Sequence, residues 1–136
     1  MKQVPFYNTR IEGCFWGDKQ RVSREVTVDA VYDRFKETKR FEAMKCDKEQ
    51  HEREGWRPHI FWDSDVAKWI EGAAYILAKE DIPALTEKIE SIIDDIIANQ
   101  CADGYFNSYF ISIEPVKRWS NRDWHELYCA GHLMEA

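Results

Sequence analysis

The sequence is short of chain breakers, with 6 glycines and 4 prolines among 136 residues, which excludes collagen-like and low-complexity architectures. It is also short of basic charge: 19 Lys and Arg against 25 Asp and Glu leave a net charge of −6. Phosphate binding calls for a basic stripe. The clusters Lys39-Arg40 and Lys117-Arg118 hold two charges each, so no nucleic-acid partner is expected. No apolar run reaches the length of a membrane span, and residues 1–9 hold no apolar signal core. A cytoplasmic chain without membrane contact is therefore expected. The four cysteines, Cys14, Cys46, Cys101 and Cys129, form no CxxC pair. They read as free thiols, with a zinc site drawn from all four as the alternative. There is no GxSxG elbow, Walker loop or dinucleotide fingerprint. The HELYC run lacks the second histidine of a zincin.

What is present is globular: 44% hydrophobic and 32% charged residues, too much apolar material for intrinsic disorder. The length suits one domain. Aromatics reach 14%, with 6 tryptophans, enough to fill a core and to offer faces on which sugar rings stack.

Helical periodicity dominates from Thr27 onward. Val28, Val31, Tyr32 and Phe35 form one stripe, with Thr27 as the expected N-cap. Residues 45–58 are polar, carry Gly55 and Pro58, and read as a loop. Val66, Trp69, Ile70, Ala73, Ala74 and Leu77 mark the next helix, with Asp63 or Ser64 as its cap. Leu85, Ile89, Ile92, Ile93, Ile96 and Ile97 mark a third, capped by Asp81 with Pro83 in its first turn. The short link between these two predicts an antiparallel hairpin. Asp103-Gly104 predicts a left-handed stop. Residues 105–113 read as an extended loop or short strand. A last helix, capped by Ser120 or Asn121, carries Trp124, Leu127, Tyr128, Gly131 and Met134. Its stripe runs to the final residues without a capping signal, which predicts truncation.

The expected fold is mainly α, a partial (α/α)6 barrel of antiparallel helix hairpins with long aromatic loops. A four-helix bundle is the plainer alternative, disfavoured by the long connection over residues 105–119.

Three polar groups are candidate sites. The densest is His125, Glu126, Cys129 and His132, of which His125, Cys129 and His132 share a helical face at i, i+4 and i+7, open to a metal reading or to plain packing. His125 alone, in a first turn after Trp119 and Trp124, suits contact with a sugar hydroxyl. Asp63 and Asp65 at i and i+2 diverge on a helix, so they make a poor acid/base pair; helix capping and dipole compensation are the alternative roles. Tyr105 and Asn107, in Asp103-Gly104-Tyr105-Phe106-Asn107, are candidates to line a pocket.

Four segments then combine in order: Phe15-Trp16-Gly17-Asp18; Phe61-Trp62-Asp63-Ser64-Asp65-Val66-Ala67-Lys68-Trp69-Ile70-Glu71; Asp103-Gly104-Tyr105-Phe106-Asn107-Ser108-Tyr109-Phe110; and His125-Glu126-Leu127-Tyr128-Cys129-Ala130-Gly131-His132-Leu133. Together, from about residue 6 onward, they resemble the N-terminal part of glycoside hydrolase family 127, the β-L-arabinofuranosidases. The resemblance implies an (α/α)6 catalytic barrel followed by β-rich domains, and release of L-arabinofuranose with retention. It further implies a cysteine nucleophile on a zinc held by a glutamate and cysteines, and a glutamate acid/base. In the family those residues lie beyond the stretch matched here, and none of the four cysteines matches the zinc cluster. No catalytic residue, no metal ligand and no cofactor is therefore assigned to this chain. His125 carries over as a substrate-binding residue for an L-arabinofuranoside or related glycan. The expectation is an N-terminal fragment, inactive alone and prone to self-association through unpartnered apolar faces. A small helical carbohydrate-binding or interaction module is the alternative.

Overall fold

The computed structural model describes residues 4–136, and all regular elements among the described residues are helical. They are α1 (Cys14–Val22), α2 (Val28–Glu37), α3 (Arg40–Ala43), α4 (Lys48–Glu54), α5 (Trp62–Leu77), α6 (Pro83–Asn99), α7 (Ser108–Ser112) and α8 (Glu126–Glu135). Single 3-10 turns occupy Phe6–Asn8 and Pro115–Lys117.

The first correction concerns Thr27. It is not a cap but lies inside one rod running from α1 through a π-turn at Ser23–Thr27 into α2, with its hydroxyl donating to Val22 O at 3.3 Å. The amphipathic stripe begins at Val28 because only there does the rod meet the core. The rod ends where Lys39 enters the left-handed region at φ +65°.

The second correction is α4, inside the expected polar loop. Asp47 accepts from Gln50 N at 2.9 Å, and Gly55 closes the helix in the left-handed region. Polar residues fill it because most of this short helix faces solvent; His51 is its buried residue.

The expected helices α5 and α6 are present, but neither is capped as expected. Ser64 Oγ turns back to donate to Phe61 O at 2.7 Å, Asp63 is engaged elsewhere, and α6 starts at Pro83 with no side-chain cap from Asp81. The chain reverses over residues 78–82, and α6 packs on α5.

Gly104 takes the expected left-handed conformation at φ +83°. The β-branched, aromatic stretch after it forms α7 rather than a strand. Asn107 Oδ1 accepts from Phe110 N at 3.1 Å, starting a turn whose Ser108, Phe110 and Ser112 are buried. With no strand beside it to complete a ladder, helical bonding satisfies this buried backbone.

At the centre lies α5, against which α2, α3, α6 and α8 all pack. Trp69 occupies its buried face, packed tilted against Tyr32 and edge-on to Phe41 at 5.3 Å centroid separations while its Nε1 donates to Val28 O at 3.0 Å. Val66, Ile70, Ala73, Leu85, Ile89 and Ile92 continue the same core. Each large aliphatic side chain buried there contributes about 1.5–3 kcal/mol. No helix among the described residues is long and apolar enough to cross a membrane.

Candidate functional site

The expected last helix begins later than its caps suggested. Ser120 Oγ donates to Lys117 O at 2.7 Å, and Asn121 Oδ1 accepts from Asp123 N at 2.9 Å, so both residues are spent on local turns. Trp124 and His125 therefore stay outside α8. His125 sits at its threshold in the left-handed region, φ +61°, a conformation that costs a non-glycine residue about 1–3 kcal/mol.

Glu126 holds that threshold in place. Its buried carboxylate accepts from Tyr105 Oη at 2.6 Å through one oxygen and from Trp119 N at 2.8 Å through the other. Burial and the Glu126 contact both push the Tyr105 phenol above its ordinary range, so it remains a donor. Arg118 lies 3.5 Å over the Tyr105 ring and pairs with Asp103 at 3.0 Å. The loop before His125 is thus fixed from both sides, and Tyr105 does structural work rather than lining a groove. Asn107 Oδ1 caps α7, while its buried Nδ2 has no hydrogen-bond partner among the described residues.

His125 itself is exposed, with its ring near Phe61 at 6.0 Å and Tyr128 at 5.8 Å, both edge-on. It lines an open groove of about 590 Å³ together with Phe61, Ser64, Asp65, Lys68 and Tyr128, bordered by Arg122, Asp123 and Leu127. That volume holds a small ligand. Lys68 Nζ and Tyr128 Oη lie 2.7 Å apart, and Asp65 pairs with Arg40 at 3.0 Å. The groove offers aromatic walls, an imidazole, a hydroxyl and balanced charge, which is the chemistry for holding a neutral polyol. It offers no nucleophile beside a base, since Ser64 donates to a carbonyl.

Asp63 is buried and points away from this groove. It accepts from Ser108 N at 2.8 Å and from Ser108 Oγ, joining α5 to α7. Burial raises its carboxyl to about 6 against the pull of the Ser108 donors. The pairing of Asp63 with Asp65 as acid and base is absent; one anchors helices and the other binds Arg40.

The residues present do not fit a zinc ion. Cys129 is buried with its Sγ 3.5 Å from Ile60 O, and His125 has left the helix, so the expected shared face with His132 does not form. Among the described residues no three His, Cys, Asp or Glu side chains converge as a metal site. All four cysteines are free, and burial pushes the Cys46 and Cys129 thiols up to about 12, leaving neither as a thiolate at neutral pH.

Sequence reasoning placed Glu126 in the polar constellation without giving it a role, and it missed Lys68 as part of this site. The role of Glu126 depends on Tyr105 and Trp119 in the preceding segment, and the Lys68–Tyr128 contact joins residues far apart in the chain.

Comparison with known proteins places this geometry. The sequence is 37% identical over 84 residues to the non-reducing end beta-L-arabinofuranosidase of Bifidobacterium longum subsp. longum, covering 57% of this chain and 12% of that protein. A GH127 β-L-arabinofuranosidase from Geobacillus stearothermophilus T6 superposes with a TM-score of 0.82 at 33% identity over 94% of this chain and 21% of that structure. A second GH127 β-arabinofuranosidase gives a TM-score of 0.79 at 27% identity over 97% of this chain and 22% of its own. The chain thus spans about one fifth of the length of these structures, and its hairpins are part of an (α/α)6-type barrel. The profile described as beta-L-arabinofuranosidase, GH127 catalytic domain, matches residues 8–136, and the chain belongs to that glycoside hydrolase family.

Proposed function

We propose that this chain is the opening section of a retaining β-L-arabinofuranosidase barrel, contributing the sugar-binding wall around His125 and no catalytic group. The observation that carries the reading is the placement of His125. It is held in a left-handed conformation by the Glu126 clamp, and it is exposed on a groove with aromatic walls and balanced charge. The imidazole there meets a hydroxyl of an L-arabinofuranoside through its ring nitrogens. Retaining hydrolysis needs a nucleophile and an acid/base on either side of the glycosidic bond, and the groove supplies neither. In this reading the nucleophile, the acid/base and the zinc belong to other parts of the catalytic domain. The apolar side chains left exposed, among them Trp16 at 67%, Ile97 at 65% and Met134 at 86%, are where those parts pack. In the isolated chain they drive self-association.

The test is twofold. The purified 136-residue chain should shift its His125 imidazole resonances on titration with L-arabinose, an effect absent in His125→Ala. It should release no aglycone from an aryl β-L-arabinofuranoside. Turnover by the pure chain overturns the division of labour, and an unmoved His125 overturns the sugar contact.

The continuous core from Val28 to Phe106 favours one second reading, a self-sufficient carbohydrate-binding module. A monomer with a cooperative urea transition and His125-dependent sugar binding supports the module; an aggregating or molten chain supports the barrel section.

A further inference from the structure

A different cavity, also of about 590 Å³, shares no lining residue with the His125 groove. It lies between α4, the turn after it and the segment following α7, and is lined by Lys48, His51, Glu52, Trp56, Arg57 and Glu114 among others. His51 is 1% exposed, yet neither Nδ1 nor Nε2 has a hydrogen-bond partner. Leaving a buried donor or acceptor unpaired costs about 1–3 kcal/mol. Nothing in the local packing demands an imidazole there, because its contact with Trp56, at a centroid distance of 4.2 Å, is one a phenylalanine would make equally well.

We propose that this cavity is a second binding site, for a neutral polyhydroxylated ligand of monosaccharide size, with His51 bonding a hydroxyl and Trp56 facing the apolar side of the ring. The inference does not depend on sugar binding at His125. Three features identify the ligand class. Burial holds the imidazole below its ordinary range against the opposing pull of Asp47, Glu54 and Glu42, so at neutral pH it offers one donor and one acceptor, as a hydroxyl requires. The Trp56 Nε1 is already committed to Glu54 at 2.9 Å, which leaves its half-exposed ring for stacking rather than for hydrogen bonding. The rim carries two cations, Lys48 and Arg57, and two anions, Glu52 and Glu114, so it favours neither an anionic nor a cationic ligand. Lys48 pairs with Glu52 at 3.8 Å and Glu114 with Lys117 at 2.8 Å, while Arg57 has no ion-pair partner among the described residues and is free to donate to a hydroxyl.

The experiment is a titration of the chain with L-arabinose, D-xylose, D-glucose and, as a charged comparison, sodium acetate. It is followed through the His51 ring nitrogens and the Trp56 indole in ¹H–¹⁵N spectra. The proposal expects a saturable shift of both with at least one sugar. The affinity should fall roughly tenfold in Trp56→Ala and severalfold in the exposed rim variant Arg57→Ala, and be unchanged in His125→Ala. Should Trp56→Ala fail to fold, Arg57→Ala and His51→Phe carry the test. Three results overturn it: no shift with any sugar, which assigns the cavity to water alone; a stronger response to acetate; or equal Trp56 shifts in His51→Phe. Intact His51 and Trp56 shifts in His125→Ala, with the groove response lost, support the proposal and separate the two sites.

Discussion

His51 and Asp63 are both polar, both 1% exposed, and close in the chain, yet they are buried on opposite terms. Asp63 has both oxygens engaged by Ser108, whose backbone N–H and hydroxyl come from α7. His51 has no partner at either nitrogen. A buried group whose partners come from the same chain works as a structural joint, here between α5 and α7. A buried group whose partners are missing points to something outside the chain that completes it. The same contrast separates Glu126 from His125: the carboxylate is saturated and positions, while the imidazole beside it is exposed and available.

Removing one member of each pair should break the contrast most visibly. Asp63→Ala leaves the Ser108 N–H and hydroxyl without acceptors in a buried setting. It should lower the unfolding free energy by about 3 kcal/mol, read from urea denaturation. His51→Phe removes two unpaired nitrogens and keeps a ring against Trp56, so its stability should lie within about 1 kcal/mol of the parent or above it. Equal losses in the two variants would mean that His51 is satisfied in solution by ordered protein contacts, and the distinction would collapse.

The pH dependence sharpens the same comparison, because the two groups push in opposite directions. The Asp63 carboxyl is raised from 3.8 to about 6 by burial, so the folded state holds its proton more tightly than the unfolded state. Its contribution is fully present below about pH 4 and is lost as pH rises through about 6, on the order of 2 to 3 kcal/mol across that window. The His51 imidazole is lowered from 6.5, so its contribution is present above that value and is lost as pH falls. Stability measured from pH 4 to 8 should show this in two differences. Parent minus Asp63→Asn should decline with rising pH, and parent minus His51→Phe should climb. The same slope in both differences would contradict the burial of one of them.

The clamp at the α8 threshold is the next test in size. Glu126→Ala strips acceptors from the Tyr105 hydroxyl and the Trp119 N–H and should cost about 2 kcal/mol. Glu126→Gln keeps one acceptor and should cost about half as much. Both should loosen His125, seen as broadened ring resonances, whereas substitution of exposed Arg122 should not.

Much of this architecture is legible in the sequence wherever a stripe meets a single core. The α5 and α6 repeats stand out because Val66, Ile70, Leu85 and Ile89 all turn toward the same interior, and the Gly104 stop is visible because few residues accept its backbone angle. Elements that bury little or bury everything are hidden. The rod's first half is mixed in pattern because none of its residues between Cys14 and Thr27 is buried. The short α7, with Ser108, Phe110 and Ser112 buried and Tyr109 and Ile111 partly so, has no solvent face to set a period. α4 did carry a signal, in the spacing of Asp47 and Gln50 and the stop at Gly55, but its polar composition masked it. At the site, His125 is legible from its block, while its partners Phe61 and Lys68 come from a distant segment that only folding brings near.

The smallest expected effect concerns His125 itself. At φ +61° it bears a conformational cost that glycine does not, so His125→Gly relieves strain in the folded state while adding freedom to the unfolded one. The two nearly offset, and a net change within about 1 kcal/mol of the parent follows. His125→Ala keeps the left-handed strain and loses the ring contacts with Phe61 and Tyr128, so it should be the less stable of the two. Neither should retain sugar-induced shifts in the groove. Paired unfolding curves for the two variants decide whether the conformation is imposed by the Glu126 clamp: if glycine gains nothing over alanine, the threshold is not strained, and the clamp holds His125 no tighter than an ordinary turn would.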